Sequence, residues 1–134
     1  MDWNEIYSVG NPELDSQHQG LFRVIGDLGA SLNDGHEDEV VKETLAKLIQ
    51  YTADHFQFEE EMMHQAGYAG LEEHRNIHRA LKEKLEQFSH QLEDGRPGVR
   101  DDLYFFLISD WLASHILGAD KDYAPTLQNR KAAP

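Results

Sequence analysis

Residues 12–33 read PELDSQHQGLFRVIGDLGASLN, and their spacing decides the fold. Leu14, His18, Leu21, Ile25, Leu28 and Leu32 recur in alternating steps of four and three, which lines one face of an α-helix. Asn11-Pro12 supplies a cap and a first-turn residue, and Asn33-Asp34-Gly35 supplies a stop. The same seam then recurs three times. From about Glu37 to Ala66 it is Val41, Leu45, Leu48, Thr52, His55, Glu59 and Met62, closed by Gly67 as a left-handed stop. From near Gly70 to Glu93-Asp94-Gly95 it is Leu71, His74, His78, Leu81, Leu85, Phe88 and Leu92. After Arg96-Pro97-Gly98 it is Phe105, Ile108, Leu112 and His115, with Gly118 as the expected end. Short connections make neighbours antiparallel. The expected class is therefore all-α: an up-down-up-down antiparallel four-helix bundle, its helices about 20° off parallel, with an N-terminal extended arm. A single domain is expected over 1–134, with the arm at 1–11, the bundle at 12–118 and a C-terminal turn and tail at 119–134.

Composition narrows the chemistry. With 134 residues there is room for one core, and 12 Lys and Arg against 25 Asp and Glu give a formal charge of -13. Such a surface repels phosphate backbones and anionic headgroups, so neither nucleic acid nor a membrane is expected as a partner. The absence of cysteine excludes disulfides, thiolate zinc, iron–sulfur clusters and a thiol nucleophile, leaving nitrogen and oxygen to hold any metal. Met1-Asp2-Trp3-Asn4-Glu5 lacks the basic start and apolar stretch of a signal peptide, so a cytoplasmic location is expected. The most apolar stretch, Leu103 to Ala119, is interrupted by Asp110 and His115 and falls short of the roughly 20 residues of a membrane span.

Six residues on the seams do not belong in a core: His18, His55, Glu59, His74, His78 and His115. Buried without partners they would cost a large part of the stability of a domain this size. Antiparallel topology puts them at one height. At about 1.5 Å per residue, His18 lies about 9 Å from the start of its helix, and His55 and Glu59 about 12 to 18 Å from the end of theirs. His74 and His78 enter at about 6 to 12 Å from that same end, and His115 at about 5 Å. Imidazoles and a carboxylate suit first-row metals better than calcium or magnesium, and six ligands overfill tetrahedral zinc. A pair of metals needs bridges. Glu59 can supply one, and Asp120 a second if Gly118 ends the helix and the next turn swings that carboxylate back over the bundle end. Glu60, Glu61 and Asp110 lie off the seams and are expected to be solvated charge. His64, His90 and His36 are expected at the surface.

Taken together, Asp15-Ser16-Gln17-His18, His55-Phe56 with Glu59-Glu60 and Met63, Gly67-Tyr68 with His74 and His78, and Trp111-Leu112 through His115-Ile116 to Asp120 resemble the hemerythrin family, bacteriohemerythrins in particular. Trp3, Tyr7-Ser8-Val9-Gly10 and Tyr123-Ala124-Pro125 are similar as well, so the resemblance covers nearly the whole chain. Leu81 and Ala69 depart from it, standing where an aromatic and a proline are common. The resemblance implies two iron ions, bridged by hydroxide or oxide, that bind dioxygen reversibly. His74, His78 and His115 would ligate one and His18 and His55 the other, with Glu59 and Asp120 spanning both and one position left open on the iron with two histidines. Leu21, Phe56, Trp111, Leu112 and Ile116 match the positions that line the family's dry oxygen pocket. The reading expects an oxygen carrier or store rather than an enzyme, monomeric, with an oxygen-consuming protein as a possible recipient. Sensing by the same centre, or a di-iron oxidase or peroxidase, are the alternatives.

Overall fold

The computed structural model describes residues 3–33 and 37–128, except the side chains of residues 112 and 113. His36 and the side chain of Leu112 therefore lie outside the described residues. Every regular element among the described residues is helical. Helix α1 spans Pro12–Asn33, α2 Asp38–Ala66 and α3 Leu71–Glu93. A fourth rod joins α4 (Val99–Phe106), a π-helical stretch (Leu107–Ala119) and α5 (Asp120–Leu127). The short connections make these rods an antiparallel four-helix bundle.

Local chemistry sets the start of α1 and the end of α2. Asn11 Oδ1 accepts from the backbone N–H groups of Glu13 and Leu14, satisfying two donors that the first turn leaves open. Helix α2 ends at Gly67, whose φ of 68° is left-handed backbone that a glycine adopts without cost. The seams of α1 and α2 are buried along their whole length, and α3 buries its seam from His74 to Leu92.

In the fourth rod the backbone passes through both junctions in helical conformation, with Leu107 at φ -60° and Asp120 at φ -68°. Gly118 is thus not a stop. The expectation that a turn after it swings Asp120 back is corrected: the rod continues, and the Asp120 N–H donates to the carbonyl of His115, five residues back. Positions five apart point about 140° away from each other in an α-helix, but i→i+5 bonding widens each turn and brings them to one face. The inward positions become Leu107, Trp111, His115, Ile116 and Asp120. Two expected seam residues are corrected: Phe105, 72% exposed, lies off the α4 seam of Val99, Leu103 and Phe106, and Ile108, 36% exposed, falls within the wider winding that turns it outward.

The arm is extended on either side of a 3₁₀ turn at Glu5–Tyr7. Trp3 and Tyr7 pack on Phe22 of α1 with ring centroids 5.4 and 4.6 Å away. Asp15 receives the Ser8 hydroxyl and the Val9 N–H, Asn11 donates to the Leu127 carbonyl, and Lys121 donates to the Ser8 carbonyl. These bonds clamp α1 to α5 beneath the polar layer. Beyond that layer, Ile25, Leu28, Leu45, Leu48, Leu85 and Leu103 form an apolar core. No helix is long and apolar enough to cross a membrane among the described residues.

Candidate metal centre

Each rod brings its polar seam residues to one end of the bundle. His18 comes from α1, His55 and Glu59 from α2, His74 and His78 from α3, and His115 and Asp120 from the fourth rod; each is at most 3% exposed.

The two carboxylates sort the histidines into two groups. Glu59 Oε2 lies 3.1 Å from His18 Nε2 and 3.0 Å from His55 Nε2, while Oε1 lies 3.0 Å from His78 Nε2 and 3.4 Å from His74 Nε2. Asp120 Oδ2 faces His18 Nε2 at 3.1 Å, and its Oδ1 faces His74 and His115 Nε2, both at 3.1 Å. Two sets of converging atoms result, Glu59, His74, His78, His115, Asp120 and His18, His55, Glu59, Asp120, each within 4.8 Å and capable of holding a cation.

Most of these approaches are not hydrogen bonds. His18 Nε2 is aligned on Glu59 Oε2, but Nε2 of His55, His74, His78 and His115, Glu59 Oε1 and both Asp120 oxygens have no hydrogen-bond partner among the described residues. Buried polar atoms left this way are expensive unless something else satisfies them. Ligand atoms about 2.1 Å from one ion and at right angles to each other stand about 3 Å apart, which is the separation found. The donor set is imidazole and carboxylate, so the residues present fit a pair of borderline first-row ions.

Electrostatics agree. Burial works against charge on His18 and His74, yet the Asp120 and Glu59 carboxylates hold their pKa values up at about 10 and about 9. Burial lowers His115 to about 4. Against burial and the neighbouring Glu59, the surrounding histidines lower Asp120 to about 2. Without metal the layer recruits protons as its positive charge; metal ions are the competing cations.

Three surrounding side chains escaped the sequence reading. Gln17 Oε1 lies 2.7 Å from His55 Nδ1, and Glu60 Oε2 lies 2.8 Å from His78 Nδ1. In each pair the ring Nδ1–H donates outward, which turns Nε2 inward, where it can ligate once deprotonated. Glu60 is therefore corrected from solvated charge to a partner of His78. The Tyr123 hydroxyl donates to Glu59 Oε2 at 2.7 Å, and burial together with the two carboxylates raises its pKa well above the usual value, so it remains a donor. A signal was available: Gln17 and Glu60 each adjoin a seam residue, about 100° round the helix, the flank that meets the next rod. Of the expected surface residues, Glu61, His64, His90 and Asp110 are exposed.

The structure buries the expected pocket residues Leu21, Phe56, Trp111 and Ile116 completely or nearly so. Phe56 stacks on His78 with centroids 3.6 Å apart, and Trp111 meets His115 edge-on at 5.2 Å. Gly20 makes room on the opposite flank. A Cβ there would stand 1.9 Å from the Tyr51 hydroxyl, which donates to the Gln17 carbonyl.

A family profile described as "Hemerythrin HHE cation binding domain" matches residues 9–127. The chain is similar to a myohemerythrin of Riftia pachyptila, 33% identical over 93% of this chain and 92% of that protein. It is also similar to a bacteriohemerythrin of Stenotrophomonas maltophilia (strain R551-3), 29% identical over 91% of this chain and 78% of that one. Among solved structures, a wild-type hemerythrin superposes with a TM-score of 0.85 at 29% identity, covering 96% of this chain and 98% of the other.

Proposed function

Given that the chain belongs to the hemerythrin family, we propose that it binds dioxygen reversibly at two iron ions and carries, stores or delivers it rather than catalysing turnover. The observation that carries this reading is the sorting of Glu59 and Asp120, each of which turns one oxygen to each histidine group. His74, His78 and His115 would hold one iron, His18 and His55 the other, and the two carboxylates both. The paired ions, when bound, supply the two electrons that a reversibly held dioxygen borrows.

The chain's own residues do the rest. Gln17 and Glu60 fix the tautomers of His55 and His78, and Tyr123 occupies one lone pair of Glu59. Leu21, Phe56, Trp111 and Ile116 are buried beside the candidate ligands and would keep water from the bound oxygen, and Leu112 matches the same role by sequence alone. Dioxygen is the partner proposed here, and the iron held by His18 and His55, the group with fewer histidines, would be the one to take it. An oxygen-consuming protein is the proposed recipient, and the carrier is proposed to be monomeric.

The test is anaerobic iron loading followed by cycles of oxygen addition and removal under visible absorption. Two irons per chain and a charge-transfer band that appears and vanishes repeatedly are expected. A single irreversible oxidation would favour an enzyme and contradict reversible carriage.

A further inference from the structure

Behind the two histidine groups stand unlike residues. His78 Nδ1 faces Glu60 Oε2 at 2.8 Å, and the other oxygen of Glu60 meets Arg75 Nε at 3.4 Å. His55 Nδ1 faces Gln17 Oε1 at 2.7 Å. The geometry of the two pairs is closely matched: each reaches from one rod to a histidine on the next, and each accepts from the same ring nitrogen. They differ in charge. Glu60 is an ionisable carboxylate, one-quarter exposed at its side chain, and Gln17 is a neutral amide.

We propose that Glu60 and Gln17 are positioning residues that make the two metal positions unequal, the Glu60 carboxylate strengthening the position that contains His78 and the Gln17 amide leaving the one that contains His55 weaker. The inference rests on the two-metal reading above. An N–H that donates to a carboxylate shifts electron density toward the opposite ring nitrogen, so Nε2 of His78 becomes the more basic donor and favours the higher metal charge. An amide oxygen holds the same tautomer and orientation without adding negative charge. Unequal histidine numbers push in the same direction, three against two, so the contribution of the outer residues has to be separated by exchanging them. Both exchanges are nearly isosteric: Glu60→Gln keeps an acceptor for His78, and Gln17→Glu gives His55 a carboxylate.

The experiment is competitive zinc titration of the full chain, with ¹⁵N spectra of the diamagnetic zinc-loaded protein. The unsubstituted chain is expected to take two zinc ions in two resolved steps. Glu60→Gln should weaken the tighter step by about tenfold to a hundredfold and leave the other within about threefold, the range that outer partners of metal-bound histidines reach. Gln17→Glu should tighten the weaker step by about tenfold. In the spectra, the His78 Nδ1–H resonance should move toward that of His55 in the first variant, and the His55 resonance toward that of His78 in the second. Arg75→Gln keeps the carboxylate and should change either step less than Glu60→Gln does. The proposal is overturned if Glu60→Gln shifts neither step or both alike, or if Arg75→Gln reproduces it in full, since a surface ion pair would then account for the effect. A chain that takes a single zinc would instead contradict the two-metal reading itself, a failure visible before any variant is made.

Discussion

The first three helices and the fourth rod reach the same polar layer by different backbones. Helices α1, α2 and α3 keep regular α-helical spacing, and every candidate ligand they contribute lies on a seam with steps of three and four. The fourth rod switches to π-helical winding over Leu107–Ala119 and delivers His115 and Asp120 five residues apart. An ordinary α-helix cannot aim both groups inward at that separation, and π-helical segments recur at functional sites for this kind of reason. The lesson is that the site determines the winding of the rod that supplies its last two groups, whereas the other three helices need only their apolar periodicity.

The largest expected effect breaks that difference. Inserting one alanine after Gly118 places His115 and Asp120 six apart, off a common face in either winding, and should abolish loading of the metal pair, measured as bound zinc per chain. Deleting Gly118 should retain it, because residues four apart share a face of an α-helix. Next in size is Leu85→Ala in the apolar half of α3. It should cost about 2–5 kcal/mol in denaturant unfolding while leaving the metal stoichiometry of the folded protein intact.

The pH dependence of the metal-free protein should also separate the polar layer from the apolar half. His18 and His74 have raised values in the fold, about 10 and about 9 against 6.5. Their stabilisation is complete below pH 6.5 and is lost as pH rises through about 9 and about 10. His115 is lowered to about 4, so stability also falls as pH drops from 6.5 toward that value. Thermal melts of the metal-free chain should therefore peak near neutral pH and decline toward pH 10. Zinc-loaded protein should lack the alkaline decline, because its ligating imidazoles are already deprotonated. A metal-free melting temperature flat from pH 7 to 10 would contradict these assignments.

The smallest expected effect concerns two glycines. Gly118 faces open space and has no positive φ, so Gly118→Ala should stabilise the rod by about 0.5–1 kcal/mol. Gly67, at φ 68°, should lose about 1–2 kcal/mol on the same change. Equal effects would mean that Gly118 ends a helix after all.

The sequence was legible wherever one periodicity governed. The seams of α1 and α2, the Asn11 cap, the Gly67 stop and the convergence of His18, His55, Glu59, His74, His78 and His115 all follow from spacing and antiparallel order. The fourth rod was not legible in that way. Ile108 fits an α-helical seam and is displaced from it by winding that no local residue announces, and Phe105 was aligned with His115 although its own segment buries Val99, Leu103 and Phe106. Gly118 carries the composition of a stop, but the rod continues through it. Glu60 was misread because a helical wheel ranks residues by distance from the seam, while a flank residue beside a neighbouring rod can still reach a histidine there. Gln17 and Tyr123 lay inside quoted motifs, yet their hydrogen bonds depend on contacts between rods that spacing within one helix cannot specify.

The most direct measurement of the central claim is anomalous diffraction at the iron edge from crystals of the iron-loaded chain. Two peaks are expected, each between its own histidine group, with Glu59 and Asp120 both touching the pair. A lone peak, or Asp120 turned away from the layer, would contradict it.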